Sequence, residues 1–276
     1  MKRMVAGGAG VLIVTSLSGC NVVPGKQFTD ERTMAGSIAA VTITGGSGSV
    51  TISGASSDGS IHVKRRVWYR DGKPGAADSV QGDTLTLNTS CGPNCSVDYE
   101  VTAPRALRVS GHNGSGDLSL TDVATASVEA GSGTITIRRA SGDVTVGAGS
   151  GDIDVADVAG SVTGRTGSGN VRLAGVAGAA TVETASGDMA ASDLRGSRTK
   201  AHTGSGNAVL ALATAQDVDA DTDSGDVHLT VPSGQSYRVT ATTTSGDSDV
   251  RVPNDPSAAH LIKLHTGSGN VTVTPR

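Results

Sequence analysis

The sequence has 276 residues, of which 39 are glycine, and only 17% are charged and 2% aromatic, so a core built on aromatic rings is excluded. The net charge of −4 argues against binding of nucleic acid, which needs clustered Lys and Arg to neutralise phosphates. Three cysteines are too few for a disulfide-stabilised scaffold.

The N-terminus combines the features of an export signal. A short basic start precedes an apolar stretch that reaches Leu17 and is too short to span a bilayer comfortably. The segment Leu17-Ser-Gly-Cys20 resembles the lipobox of bacterial lipoproteins, in which the cysteine is acylated and the preceding peptide bond is cut. We predict a signal peptide over residues 1–19, lipid attachment at Cys20 and a lipidated tether over 20–36. The alternative is an ordinary signal peptide followed by a buried free thiol.

A Ser-Gly motif followed by Asp, Asn, Thr or Ser recurs through most of the remaining chain, with a period of about 18 residues. Glycine can take positive φ at a corner without a Cβ clash, and the preceding serine can hydrogen-bond the corner backbone. The predicted structural corners are Gly116, Gly133, Gly151, Gly169, Gly187, Gly206, Gly225, Gly246 and Gly269.

Apolar and polar residues alternate on both sides of each motif, as Ile135 and Ile137 show downstream of Gly133. This alternation is typical of short strands with one buried face. Such strands, with corners every nine residues, pair best as the stacked coils of a solenoid. We therefore predict an all-β fold, a β-solenoid of about 18-residue coils, over 37–276. A disordered Gly/Ser linker is the alternative, but it would not place apolar residues at the same positions of every repeat.

Residues 55–108 interrupt the repeat with longer alternating stretches, which we interpret as an N-terminal β cap or insert that covers the open end of the solenoid. A ligand pocket is the alternative interpretation. The segment also carries a basic cluster, which is either a solvated face or a contact with anionic lipid or wall polymer. Its members are Lys64, Arg65, Arg66, Arg70 and Lys73.

Cys91 and Cys95 lie in the same insert and enclose a tight loop. On the oxidising side of a membrane we predict a structural disulfide between them. A redox role is the alternative, but no catalytic neighbours accompany this pair.

The residue after each motif glycine is Asp, Asn or Thr, and stacking places these side chains in one row. Neutral members separate the carboxylates except where Asp226 is expected beside Asp247. With Asp249 nearby, this acidic end is a candidate for weak binding of a divalent cation. Asx-type corners on a solvated face are the interpretation that we prefer, and we predict no metal centre and no cofactor.

Val97-Asp-Tyr-Glu-Val-Thr-Ala-Pro104, then Leu107-Arg-Val109 and the serial Gly-Ser-Gly-Asp units, resemble the bacterial putative-adhesin domains, a β-strand-repeat family. The resemblance covers about Ser37 to Arg276. It implies a β-solenoid on a bacterial cell surface and supplies no catalytic residues.

We therefore predict a surface lipoprotein on the extracytoplasmic face of the cell membrane, which acts in adhesion or scaffolding on an unknown envelope or surface ligand. None of the repeated serines has a histidine in matching register, so we predict no enzyme. A cell-wall or polysaccharide-active enzyme and an envelope-sensing accessory protein remain as alternatives.

Overall fold

The computed structural model describes residues 25–34 and 38–276. The predicted signal peptide and the lipid attachment site at Cys20 therefore lie outside the described residues. No helix in the described part is long and apolar enough to cross a membrane. The strands are β1 (Lys26–Met34), β2 (Ala40–Thr44), β3 (Val50–Ser53), β4 (Ile61–Tyr69), β5 (Asp78–Gln81), β6 (Thr84–Asn88), β7 (Cys95–Thr102), β8 (Arg108–Asn113), β9 (Leu118–Val123), β10 (Thr125–Ala130), β11 (Ile135–Ala140), β12 (Val144–Ala148), β13 (Ile153–Val158), β14 (Val162–Ser168), β15 (Val171–Val176), β16 (Ala180–Ser186), β17 (Met189–Leu194), β18 (Arg198–Ser205), β19 (Ala208–Leu212), β20 (Asp217–Ser224), β21 (Val227–Val231), β22 (Arg238–Ser245), β23 (Ser248–Val250), β24 (Leu261–Ser268) and β25 (Val271–Pro275).

These strands form two sheets, sheet A with 13 strands and sheet B with 12. From β8 to β21 the chain alternates strictly between the sheets, and each strand pairs in parallel with the strand one coil away. Ile135 pairs with Ile153 and Ile153 with Val171, so equivalent residues of successive coils lie directly above one another. The prediction of an all-β solenoid with coils of about 18 residues is confirmed.

The core lies between the sheets and is built from the inward side chains of both. Ile135 and Ile137 of sheet A and Val128 of sheet B are almost completely buried, as the alternation predicts. Several sheet A strands add a third inward layer, because a residue with positive φ forms a bulge and returns the next side chain to the core. The bulge positions are Asp122, Arg139, Asp157, Gly175 and Asp193, followed by buried Val123, Ala140, Val158, Val176 and Leu194.

At both ends of the solenoid one rung is out of sequence order, where a rung is one sheet B strand with the sheet A strand that follows it. The β6/β7 rung lies outside β2/β3, and β22/β23 lies outside β24/β25. The insert therefore adds a complete rung at the N-terminal end. On sheet A that rung is covered by β4 with β1 as the edge strand outside it, and on sheet B by the edge strand β5. The eleven rungs stack over about 50 Å at the usual spacing between strands.

The prediction of a tether over 20–36 is wrong for residues 26–34, which form β1 and pair antiparallel with β4. The reason is packing against the insert. Phe28 points inward and makes an edge-on contact with Tyr69, with 5.8 Å between ring centroids. The ammonium nitrogen of Lys73 lies over the same ring, 4.7 Å from its centroid.

The corner glycines are required chiefly by close approach between rungs. A Cβ at any of the nine predicted positions would lie less than 3.0 Å from the carbonyl oxygen of the motif glycine on the adjacent rung. Positive φ, the reason expected from the sequence, applies only to the last five of them, from Gly187 onward. Contact between backbones thus explains the whole series, and conformational freedom explains part of it.

Gly164 is different, because it fills an inward position of β14 where a side chain has room. A Cβ there would meet only methyl carbons of Val146 and Val171, at 3.8 and 3.9 Å. We expect Gly164→Ala to raise the free energy of unfolding by about 0.5–1 kcal/mol, since it restricts the unfolded chain without strain. Urea denaturation measures the change.

The matched control is Gly151→Ala at a corner, where the new Cβ would collide with the backbone of Gly133. We expect it to lower the free energy of unfolding by about 1–3 kcal/mol. Equal shifts of the urea midpoint in the two variants would contradict the interpretation that Gly151 is required by backbone contact and that Gly164 is not.

Candidate binding surfaces

One row of Asp and Asn side chains connects the corners along the solenoid. Each side-chain oxygen accepts the backbone N–H of the next residue in the row, with N to O distances of 2.7–3.1 Å. The exposed serines that precede the glycines, such as Ser186 and Ser205, are not the groups that bond these amides. The row consists of Asp152, Asn170, Asp188, Asn207, Asp226, Asn270 and Asp247.

The expectation that Asp226 stands beside Asp247 is wrong. Asn270 lies between them, accepting the N–H of Asp247 and donating its own N–H to Asp226, because the β24/β25 rung is inserted inside β22/β23. Asp249 forms an ion pair with Arg251, with 2.6 Å between nitrogen and oxygen. In the described part of the chain no three His, Cys, Asp or Glu residues form a group that could hold a metal ion.

A second column, which the sequence analysis missed, runs inside the corners. Threonine hydroxyls donate to the carbonyl oxygens of the motif glycines on the adjacent rung, at 2.8–3.3 Å. The signal was readable, because a threonine stands three places before each of these later motif glycines. Asn113 serves the first repeat, where its amide donates to both Gly48 and Gly116. The threonines are Thr166, Thr184, Thr203, Thr222, Thr266 and Thr243.

The outward side of sheet B presents two straight polar rows, which we call the ladder face. The first row consists of Ser127, Thr145, Thr163, Thr181, Lys200, Asp219, Lys263 and Thr240. The second consists of Glu129, Gly147, Arg165, Glu183, His202, Asp221, His265 and Thr242.

Acidic side chains stand next to basic or histidine side chains along the ladder face, and some of them contact each other between rungs. Arg165 donates to Glu183 at 2.8 Å, and a nitrogen of His202 lies 3.1 Å from the carboxylate of Asp221. A shallow depression of about 410 Å³ lies toward the C-terminal end of the face, lined in part by Lys263 and His265. The face is therefore hydrophilic, regular and open to a large partner.

A second concavity of about 600 Å³, the N-terminal groove, lies where β1 and β4 meet the first corners. It is lined by Gly25, Trp68, Arg70 and the loop that carries Cys91 and Cys95. Trp68 is 45% exposed, because it lies on the outward side of β4, between the polar residues Gln27 of β1 and Ser96 of β7.

The two cysteines beside this groove are joined by a disulfide, with Cα atoms 5.2 Å apart. The bond closes the turn between β6 and β7 and shapes one wall of the groove.

The predicted basic cluster is divided by the alternation of β4. Arg65 points inward and is only 7% exposed, with its guanidinium bound to both carboxylate oxygens of Asp30 at 2.6 and 2.7 Å. It also faces the buried Asp78 carboxylate, which Arg32 contacts from β1. The hydrogen bonds to Asp30 raise the pKa of Arg65, and burial raises the pKa of the nearby Tyr99 hydroxyl.

The two-sheet parallel solenoid and its ladders define this chain as a β-repeat protein with extended polar surfaces. It belongs to the Toastrack DUF4097 family, whose sequence profile matches residues 36–174 and 121–274. The predicted relation to a β-strand-repeat adhesin-like family is thereby confirmed. No curated protein matches the chain.

Two solved structures are similar to it. A putative adhesin from Bacteroides fragilis is 16% identical, with a TM-score of 0.45, and the match covers 91% of this chain and 97% of that one. A putative cell adhesion protein from Clostridium sporogenes is 11% identical, with a TM-score of 0.25, and the match covers 91% of this chain and 100% of that one.

We expect Asn207→Asp to destabilise the protein, because it places a carboxylate between Asp188 and Asp226. Repulsion at the spacing of adjacent strands costs about 1–2 kcal/mol at neutral pH. The repulsion raises the pKa of the new carboxyl in the folded state, so the loss is present above that pKa. It disappears as the pH falls below the ordinary aspartate pKa of about 4. Thermal unfolding across this pH range measures the effect.

The control for this variant is Asp188→Asn, which keeps the acceptor oxygen and adds no charge. Its free energy of unfolding should stay within about 0.5 kcal/mol of the wild type. A pH-independent loss in Asn207→Asp would show that charge repulsion is not the cause.

We expect Arg65→Ala to lower the free energy of unfolding by about 3–5 kcal/mol, since it removes the buried guanidinium that binds both oxygens of Asp30 and leaves the buried Asp78 carboxylate to Arg32 alone. Arg66→Ala is the matched control, because Arg66 is the next residue on the exposed side of the same strand. Chemical denaturation of both variants compares them, and similar losses would contradict a structural role specific to Arg65.

Proposed function

We propose that this protein is a lipid-anchored, extracytoplasmic surface protein, whose ladder face binds an envelope or surface ligand without catalysis. The observation that supports it best is the geometry of the ladder face. Rows of hydroxyl and charged groups, each one rung apart, project from a single sheet over many successive rungs.

A rigid support favours this role. The side chains of the ladder face stand on strands whose opposite sides are locked into the core and whose corners are held by the Asp/Asn and threonine columns. Repeat proteins commonly use such extended surfaces for binding, because each repeat contributes a similar contact. A ligand that itself repeats, such as an envelope polymer, fits a surface of constant spacing.

The charge pattern favours specific recognition over general attraction. Lys200, Asp219 and Lys263 succeed one another in the first row, so the face offers both signs at fixed positions. Complementary charge arrangements mainly improve selectivity and the rate of encounter.

The ladder face is tested with the chain from Asn21 onward, which contains every described strand. The probes are an envelope fraction of the producing bacterium and its purified wall polymer. We expect Lys200→Ser, Lys263→Ser and His265→Ser together to lower retention on the envelope fraction at least about tenfold, because a few central residues dominate most interfaces.

The control triple variant is Arg172→Ser, Arg195→Ser and His228→Ser, which removes two basic residues and one histidine from β15, from the position directly after β17 and from β21, away from the ladder face. It should bind as well as the wild type. Equal retention of both triple variants would rule out the ladder face as the binding surface.

The anchor is tested separately by growth with labelled palmitate. We expect label in the wild-type protein and none in Cys20→Ser, together with loss of membrane attachment. An unlabelled wild-type protein would exclude lipidation while leaving the ladder face untouched.

A further inference from the structure

The N-terminal groove combines an exposed aromatic ring with walls of small polar side chains. Trp68 lies on the outward side of β4 and lines the groove, and the turn closed by the disulfide adds Asn94. The remaining polar groups are serine hydroxyls, those of Ser47, Ser90, Ser96 and Ser115. Its volume of about 600 Å³ is in the usual range of sites for small organic ligands.

The groove carries little charge, in contrast to the ladder face. Of the described residues that line it, only Arg70 has a formal charge, and Asp71 follows Arg70 in the exposed turn. The other basic residues on the outward side of β4 stand beside acidic residues of the neighbouring strands. These are Lys64 beside Glu31 and Glu100, and Arg66 beside Asp98. This end of the protein therefore selects neither an anionic nor a cationic ligand by charge.

The corners hold two of the hydroxyls at a fixed spacing. Ser47 and Ser115 precede motif glycines that stack directly, since a Cβ on Gly116 would lie less than 3.0 Å from the carbonyl oxygen of Gly48. Both serines are exposed, and they stand one rung apart, about 5 Å. This spacing is close to the length of one pyranose unit in an extended β-1,4-linked saccharide.

The opposite end of the hydroxyl series is fixed by the insert. The backbone N–H of Ser90 donates to the side-chain oxygen of Asn88 at 2.9 Å, and the disulfide closes the turn that follows. Asn94 in this turn has φ of 55°, a left-handed conformation that asparagine adopts more readily than most residues. A groove with preformed walls loses little conformational entropy when a ligand binds.

We propose that the N-terminal groove binds a neutral saccharide, with one pyranose ring packed against Trp68. A sugar ring has an apolar C–H face, which suits the electron-rich face of an indole, and a rim of hydroxyl groups. The serine hydroxyls, the Asn94 amide and the Arg70 guanidinium supply the donors and acceptors that such a rim requires. This site is separate from the ladder face and does not depend on the function proposed for that face.

The lining disfavours other classes of small ligand. An apolar molecule would remove the serine and asparagine groups from water without replacing their hydrogen bonds, which costs binding energy. A multiply charged molecule would meet one guanidinium and no further unbalanced charge among the described lining residues. A neutral polyhydroxylated molecule avoids both costs.

Tryptophan fluorescence reports on this site alone, because Trp68 is the single tryptophan of the chain. The experiment titrates the chain from Asn21 onward with three neutral β-1,4-linked probes, cellotetraose, mannotetraose and chitotetraose. We expect at least one of them to change the Trp68 emission with a dissociation constant of about 1 mM or lower. Because the ligand is uncharged, its affinity should change less than about twofold between low and high salt.

The first variant is Ser47→Ala with Ser115→Ala, and we expect its affinity for the best probe to fall about tenfold through two lost hydrogen bonds. The matched control is Ser205→Ala with Ser224→Ala, which removes equivalent exposed motif serines from two adjacent rungs farther along the solenoid. Its affinity should stay within about twofold of the wild type.

The second variant is Trp68→Ala, whose binding is followed by ligand-observed NMR and whose fold is verified by circular dichroism. We expect a loss of at least about tenfold, since a central aromatic residue commonly dominates a binding site. The serine variants test the same site without changing the aromatic ring, so a misfolded Trp68→Ala protein would still leave the proposal open to refutation.

The proposal is overturned if none of the three probes changes the Trp68 emission, or if the two serine double variants lose equal affinity. Tighter, salt-sensitive binding of oligomannuronate, the acidic counterpart of mannotetraose, would assign the groove to an anionic ligand instead. The ladder-face triple variant should bind the best probe as well as the wild type does. Saccharide binding and envelope retention can therefore succeed or fail independently of each other.

Discussion

The structure depends on close backbone contact between successive corners. Each motif glycine leaves no room for a Cβ against the carbonyl oxygen of the adjacent motif glycine, so the coils can stack only in register. The Asp/Asn row and the threonine column then bond the corner amides and carbonyls that stacking brings together. Alternation of Asp with Asn keeps neighbouring carboxylates apart. The row therefore forms hydrogen bonds along the corners with little repulsion between negative charges.

Both ends of the solenoid have features that cover their edge strands. An exposed edge strand could otherwise pair with a strand of another chain. At the N-terminal end, β1 and β4 run antiparallel to their neighbours and carry the partly buried ion pair of Arg65 with Asp30. At the C-terminal end, the Asn254 side chain accepts the N–H of Val239 and donates to its carbonyl oxygen. This amide occupies the place of a further strand on the edge of β22.

The same register that builds the core also distributes the surface chemistry. Inward positions of sheet B are apolar or threonine, with Asn113 in the place of the threonine in β8, and the outward positions of the same sheet form the ladder face. On sheet A, the alternation of β4 buries Arg65 and leaves Arg66 exposed, so one basic stretch contributes one residue to the interior and the next to the surface.

The sequence by itself determined the repeat, its register along the chain and the buried face of each strand. Alternating apolar residues such as Ile135 and Ile137 indicate which side chains are buried in the core. It also located the Cys91–Cys95 loop and the corner glycines. Only the tertiary structure decided the order of rungs at the two ends, which separates Asp226 from Asp247 through Asn270 and turns residues 26–34 into a strand. The alternation within a strand is the same whichever strand it pairs with, so the sequence pattern does not identify the partner. Pairing between distant segments depends on packing across the whole molecule.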